Sequence, residues 1–172
     1  MILEVLVQFV LRLSFGLALA MLVTSSALVT SGFFRVHLWV IMGLATLSAL
    51  AAWVAPNAPE SLWENYVLPA CVATAVLSYG GAAVWLYEKA TVGKILLAVV
   101  TATSLAGALL TSGPSESTTL LAKALTVADV VTGGLLLGLT MAAMLLGHWY
   151  LNTPTMKLQP LQRLVILMGA AV

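Results

Sequence analysis

Long apolar runs separated by short polar stretches constrain this sequence more than any other feature. The runs cover about residues 7–30, 33–54, 66–87, 92–110 and 120–150. A helix needs about 20 apolar residues to cross the hydrocarbon core of a bilayer, and each run has about that length or more. Because lipid offers no hydrogen-bond partners to the backbone, such a run is stable there as a helix. The sequence therefore predicts five membrane-spanning helices.

The last apolar segment, residues 161–172, is shorter than the other five. At 1.5 Å per residue it covers about 18 Å, which is less than the ~30 Å hydrocarbon core. It is interpreted either as an interfacial helix or, preferably, as the truncated beginning of a sixth span. Residues 1–172 are thus expected to form a single integral membrane domain, an all-α transmembrane helical bundle of five spans plus this partial sixth.

The connections between the runs are short and contain helix breakers. Residues 56–60 include two prolines, and residues 111–118 are polar with one glycine and one proline. Proline lacks an amide donor and clashes with the preceding helical turn, so these segments should end the helices. Short connections favour antiparallel neighbours packed as one bundle.

The scarcity of charge excludes several classes of protein. Charged residues make up 8% of the chain, whereas a soluble domain carries about 25%. A net charge of +1 provides no basic surface for nucleic acid, and the apolar content of 62% excludes intrinsic disorder. The single cysteine, Cys71, cannot form an intramolecular disulfide and is expected to be a packed thiol.

The basic residues indicate an orientation. We call the side of the bundle that holds the N-terminus side A and the opposite side B. The positive-inside rule makes side B cytoplasmic and leaves the N-terminus outside, as in a bacterial inner membrane. Tryptophans at both ends are expected to form two aromatic belts, with Trp53 and Trp63 on side A and Trp39, Trp85 and Trp149 on side B. The basic residues on side B are Arg35, Lys89, Lys94, Lys157 and Arg163, against the single acid Glu88.

The two histidines are the main candidates for cofactor chemistry. His37 lies near the start of the second predicted helix and His148 near the end of the fifth, so both are expected at side B. Two imidazoles at matching depth on separate helices can ligate one tetrapyrrole metal from opposite faces. Arg35 lies at the right level to pair with propionates. The candidate groups are haem b, a chlorophyll-type pigment or a quinone; in the alternative interpretation the histidines are interfacial anchors or join helices by hydrogen bonds.

Arg12 and Asp129 are charged residues inside predicted spans. A lone charge there costs at least ~2.5 kcal/mol on insertion scales, so each needs a partner or water. One hypothesis is an Arg12–Asp129 ion pair between the first and fifth helices, and another is a proton or cation relay at Asp129. The alternative is that Arg12 extends alone to the side-A surface while Asp129 pairs with Lys123 or caps a helix.

A GxxxG motif formed by Gly134 and Gly138 lies in the fifth predicted helix. Two helices can approach closely in lipid where glycines replace bulky side chains. The motif predicts that the fifth helix is central and packs against another helix of the chain or of a partner subunit.

The chain lacks the catalytic and metal-binding motifs HExxH, GxSxG and the Walker loop, so it is not expected to be an enzyme. The leading hypothesis is a non-catalytic integral subunit that anchors or scaffolds a larger electron-transfer complex, respiratory or photosynthetic, together with other membrane subunits and lipids. One alternative is a small transporter or channel that uses Asp129 and hydroxyl residues. Another is a purely structural subunit without a cofactor.

Overall fold

The protein is a bundle of helices. The computed structural model describes residues 2–54, 64–112, 119–153 and 157–171, and this part contains no strand. Five of its helices are long and apolar enough to cross a membrane, which confirms the predicted all-α transmembrane bundle. The predicted breaks at residues 56–60 and 113–118 lie outside the described residues. The helices are α1 (Ile2–Val23), α2 (Ser31–Val54), α3 (Glu64–Leu86), α4 (Ala90–Thr111), α5 (Leu120–Asn152) and α6 (Gln159–Ala170).

The first helix begins earlier and ends earlier than the apolar run predicted. Residues 24–30 are apolar enough to continue it, but they form turns in which the amides of Leu28 and Val29 both donate to the carbonyl of Ser25. Hydroxyl side chains compete with the backbone for hydrogen bonds and weaken a helix where they cluster. Thr24, Ser25 and Ser26 form such a cluster, so α1 ends at Val23.

The centre of the bundle is α1. It packs against α2, α4 and α5, whereas α4 and α5 barely touch, and it is the most buried of the five membrane-spanning helices. The prediction that the fifth helix is central was therefore wrong. The motif that suggested it does mediate close packing, but it places α5 against one side of α1.

Glycines bring α1 and α5 together. A Cβ atom on Gly16 would overlap the backbone of Gly134, and one on Gly138 would overlap the backbone of Gly16. The two helices run in the same direction, since contacts progress from Arg12 with Asp129 to Gly16 with Gly138. The GxxxG motif thus meets a third glycine, which the sequence analysis had not paired with it.

The short helix α6 turns back along α5. The hydroxyl of Tyr150 donates to the carbonyl of Lys157, and the hydroxyl of Thr140 lies 3.2 Å from the sulfur of Met168. Contacts therefore move towards the middle of α5 as α6 proceeds, and Leu164 is fully buried between them. The helix α6 therefore lies along α5 rather than across the end of the bundle.

An aromatic cluster fills the core at side B. Phe34 stacks on Trp85 with ring centroids 4.3 Å apart, and Gly93 leaves the space that the indole occupies. Trp85 is 2% exposed, so the expectation that it belongs to an interfacial belt was wrong. Trp39 is exposed as a belt residue should be, and Trp63 lies outside the described residues.

The close approach of α1 and α5 leads to a first prediction. Gly16→Ala should lower the free energy of unfolding by about 1–3 kcal/mol, because the added methyl meets backbone that cannot rotate away. Gly43→Ala is the matched control, because Gly43 has open space around its Cβ position. Unfolding by SDS titration in mixed micelles measures both variants. Equal stabilities of the two variants would contradict the packing described.

Candidate functional site

His37 lies in the core of side B. Its imidazole is 3% exposed, and its Nδ1 lies 2.5 Å from the carbonyl oxygen of Phe33, one helical turn earlier. Because a carbonyl accepts, Nδ1 donates and Nε2 carries the free lone pair. The ring packs 4.1 Å from the Phe33 ring and 6.3 Å from the Trp149 ring. The tautomer suits a metal ligand, but aromatic rings surround the imidazole.

His148 faces away from the bundle. Its side chain is exposed and forms no hydrogen bond, ion pair or ring contact with another described residue. Successive residues of a helix point about 100° apart, so Trp149 faces inward towards His37 while His148 faces outward. The structure thus brings His37 next to Trp149 and does not bring the two imidazoles together.

Ligation of one tetrapyrrole by both histidines does not fit this arrangement. The macrocycle would have to displace the Phe33 and Trp149 rings to reach His37, and His148 would have to turn inward. Arg35, in the first turn of α2, is partly buried and makes no side-chain hydrogen bond within the described part of the chain. Nor do any three His, Cys, Asp or Glu side chains in that part come close enough to hold a metal ion.

Arg12 and Asp129 form an ion pair between α1 and α5. Arg12 Nη2 donates to Asp129 Oδ2 at 2.8 Å, and Arg12 Nη1 lies 3.5 Å from the Asp129 carbonyl oxygen. The Arg12 side chain is 17% exposed, whereas the Asp129 side chain is 68% exposed. The pair matches the first hypothesis for these residues, and within the described residues no ion pair joins Asp129 to Lys123.

The outward face of α5 differs from those of its neighbours. Asp129, Thr132 and His148 are exposed on α5, and we call these three residues the polar face of α5. Among the side chains that the structure describes, the exposed positions of α2, α3 and α4 hold no carboxylate, cation or imidazole. A lipid-facing helix surface is normally apolar, because polar groups in hydrocarbon are costly. The polar face is therefore the unusual surface of the bundle.

Lys94 has a structural role that sequence analysis missed. Its ammonium donates to the carbonyls of Leu22 at 2.5 Å and Thr24 at 2.6 Å, and it lies 5.7 Å from the centroid of the Phe34 ring. The last carbonyls of a helix lack backbone donors, and a cation there also interacts favourably with the helix dipole. Lys94 thus caps α1 from α4, a pairing that no local sequence signal announces.

Three buried serines in the described part of the chain lack hydrogen-bond partners there. The hydroxyls of Ser14, Ser48 and Ser78, on α1, α2 and α3, are fully buried and unpaired. By contrast, Thr101 and Ser104 on α4 donate to carbonyls of their own helix. The core therefore contains some polar groups that neither the backbone nor a neighbouring side chain satisfies.

Comparisons with known proteins do not add to this description. No protein-family model matches the chain, and neither a curated protein nor a solved structure shows significant similarity to it. Conclusions about its function therefore depend on its own residues.

The ion pair gives a second prediction. In a double-mutant cycle, Arg12→Ala and Asp129→Ala should each destabilise the protein, and the double variant should lose about 1 kcal/mol less than the sum. The same cycle with Lys123→Ala in place of Arg12→Ala should show additive effects. SDS unfolding of the unaltered protein, the three variants and the Lys123 control set measures both couplings. A coupling at Lys123 as large as that at Arg12 would contradict the pairing.

Proposed function

We propose that the chain is a non-catalytic integral subunit of a larger membrane assembly and that the polar face of α5 contacts a partner helix. The observation that carries this proposal is the exposure of Asp129 and His148 on a helix otherwise surrounded by lipid-facing apolar surfaces. Asp129 uses one carboxylate oxygen for Arg12, and its side chain stays exposed. A membrane-spanning partner with hydrogen-bond donors at these levels would satisfy both residues.

A different protein suits this face better than a second copy of the chain. Two copies related by an axis along the membrane normal would place both Asp129 carboxylates at the same depth, facing one another. Like charges in a poorly screened environment repel. A heterologous helix that carries Ser, Thr, Asn, Gln or a basic residue has no such conflict.

An electron-transfer assembly, respiratory or photosynthetic, remains the proposed class. His148 has the exposure that a ligand shared with a partner requires, whereas aromatic rings cover His37. A haem or pigment would therefore be bound between subunits through His148, and a quinone could be bound at the same interface. A structural subunit without a cofactor would use the same polar face, so the histidine variants separate these two roles.

The orientation proposed from the basic residues places side B in the cytoplasm and the N-terminus outside, in a bacterial inner membrane. Two contacts support the grouping of charged residues at one end of the bundle. Lys94 donates to a carbonyl in the last turn of α1, and Ser31 at the start of α2 donates to Glu88. Which compartment this end faces depends on the charge rule alone.

A transporter is the second candidate function, and the unpaired hydroxyls of Ser14, Ser48 and Ser78 are the observation in its favour. Buried polar groups of this kind attract internal water. Asp129, which would be the relay of such a path, faces outward and is paired with Arg12. An exposed Asp129 fits a scaffold that contacts a partner helix. It does not fit a relay inside a path through the bundle.

Photocrosslinking in native membranes tests the proposed partner face. A photoreactive residue at position 132 should form a discrete protein adduct, because Thr132 lies on the polar face. The matched control is position 46 on α2, since Thr46 and Thr132 are both exposed and both donate to the carbonyl four residues earlier. The crosslinked partner should be the same protein in repeated preparations, and the yield of the adduct should decrease in the Asp129→Leu variant. Equal yields at both positions would contradict the proposal.

The spectrum of the assembly tests the electron-transfer class. A reduced-minus-oxidised spectrum of the intact assembly should show a tetrapyrrole band that His148→Ala removes and His37→Ala retains, because only His148 is exposed. Loss of the band in His37→Ala with retention in His148→Ala would contradict the ligand assignment. An assembly without any such band would favour the structural role.

A further inference from the structure

A cleft opens at side B between the end of α1 and the start of α6. It is a shallow depression with a cavity volume of about 10 Å³, and its walls come from the end of α1, the turn that follows it and the first two turns of α6. Thr24, Ser25 and Arg163 supply its polar lining, and Val23 and Leu28 supply the accessible part of its apolar wall. The cleft is separate from the polar face of α5 and from the aromatic cluster around His37.

The charge of Arg163 is not compensated within the described part of the chain. Its side chain is exposed and forms neither an ion pair nor a hydrogen bond there. The neighbouring acid at this end, Glu88, accepts a hydrogen bond from Ser31 instead. Lys89 and Lys94 add further positive charge to side B, so the cleft lies in a region that attracts anions.

Ser25 provides a neutral donor beside the guanidinium. Its hydroxyl has no hydrogen-bond partner among the described residues, whereas the hydroxyl of Thr24 already donates to the carbonyl of Ala20 at 2.7 Å. A guanidinium binds phosphate oxygens with two parallel hydrogen bonds, and a hydroxyl can add a third. The pair Arg163 and Ser25 is thus suited to a phosphate group.

The apolar wall indicates where this phosphate comes from. A free phosphate ion gains nothing from contact with Val23 and Leu28, but a phospholipid places a phosphate beside acyl chains at this boundary of the membrane. Basic pockets between membrane helices on the positively charged side commonly bind anionic headgroups. We propose that the cleft binds an anionic phospholipid whose phosphate contacts Arg163 and Ser25 while an acyl chain lies along the apolar wall.

Native mass spectrometry of the full chain in detergent tests this site. Phosphatidylglycerol, phosphatidylcholine with the same acyl chains and inorganic phosphate are the three probes. Phosphatidylglycerol should bind most tightly, and Arg163→Gln should weaken its binding about tenfold, which is the value of a lost charge-assisted hydrogen bond. Arg163→Lys should retain part of the affinity, and Ser25→Ala should lose about threefold without any change of charge.

Lys89→Gln is the matched control, since it removes one exposed positive charge from side B without touching the cleft. Its affinity for phosphatidylglycerol should equal that of the unaltered protein. Equal losses in Lys89→Gln and Arg163→Gln would overturn the proposal in favour of general charge attraction, as would unchanged binding in both Arg163→Gln and Ser25→Ala. Binding of inorganic phosphate with the affinity of the lipid would overturn the assignment to phospholipid. The site is independent of any partner subunit, because every probe is added to the isolated chain.

Discussion

The close approach of α1 and α5 through Gly16, Gly134 and Gly138 is the contact on which the other features depend. In lipid, helices gain little from hiding apolar surface from water, so association relies on packing and polar contacts. Three glycines let the two backbones touch, and this fixes the rotation of α5 about its axis. With this rotation, Arg12 pairs with Asp129, and the side of α5 that is turned away from the glycine contact faces outward.

That rotation also decides the fate of the two histidines. With Gly138 against α1, Trp149 faces the aromatic core and contacts Phe33 and His37, so His148 must face outward. Residues that look equivalent in the sequence, two histidines beside aromatic residues at one end of the bundle, therefore differ in access. The proposed role of α5 as the partner-binding helix follows from this asymmetry.

Side B combines structural and proposed binding roles in one region. Lys94 caps α1, and Trp149 donates to the hydroxyl of Thr30 at 3.1 Å, so the turn between α1 and α2 is held from two other helices. At the same end, Arg163 has no ion pair or side-chain hydrogen bond with any described residue. Lys94, which satisfies helix carbonyls, is therefore a structural cation, whereas Arg163 is available to a ligand.

The sequence by itself determined the class of the fold and the number of its long apolar helices, because an apolar run of about 20 residues is enough to define a helix in lipid. It also suggested the Arg12–Asp129 pair, since buried charges need partners. Only the tertiary structure decided which side of each helix faces inward. The helices are apolar around nearly their whole circumference, so no stripe of polarity marks the core-facing side. Inward Trp149, outward His148 and the capping by Lys94 arise from packing between distant segments, which local patterns do not encode.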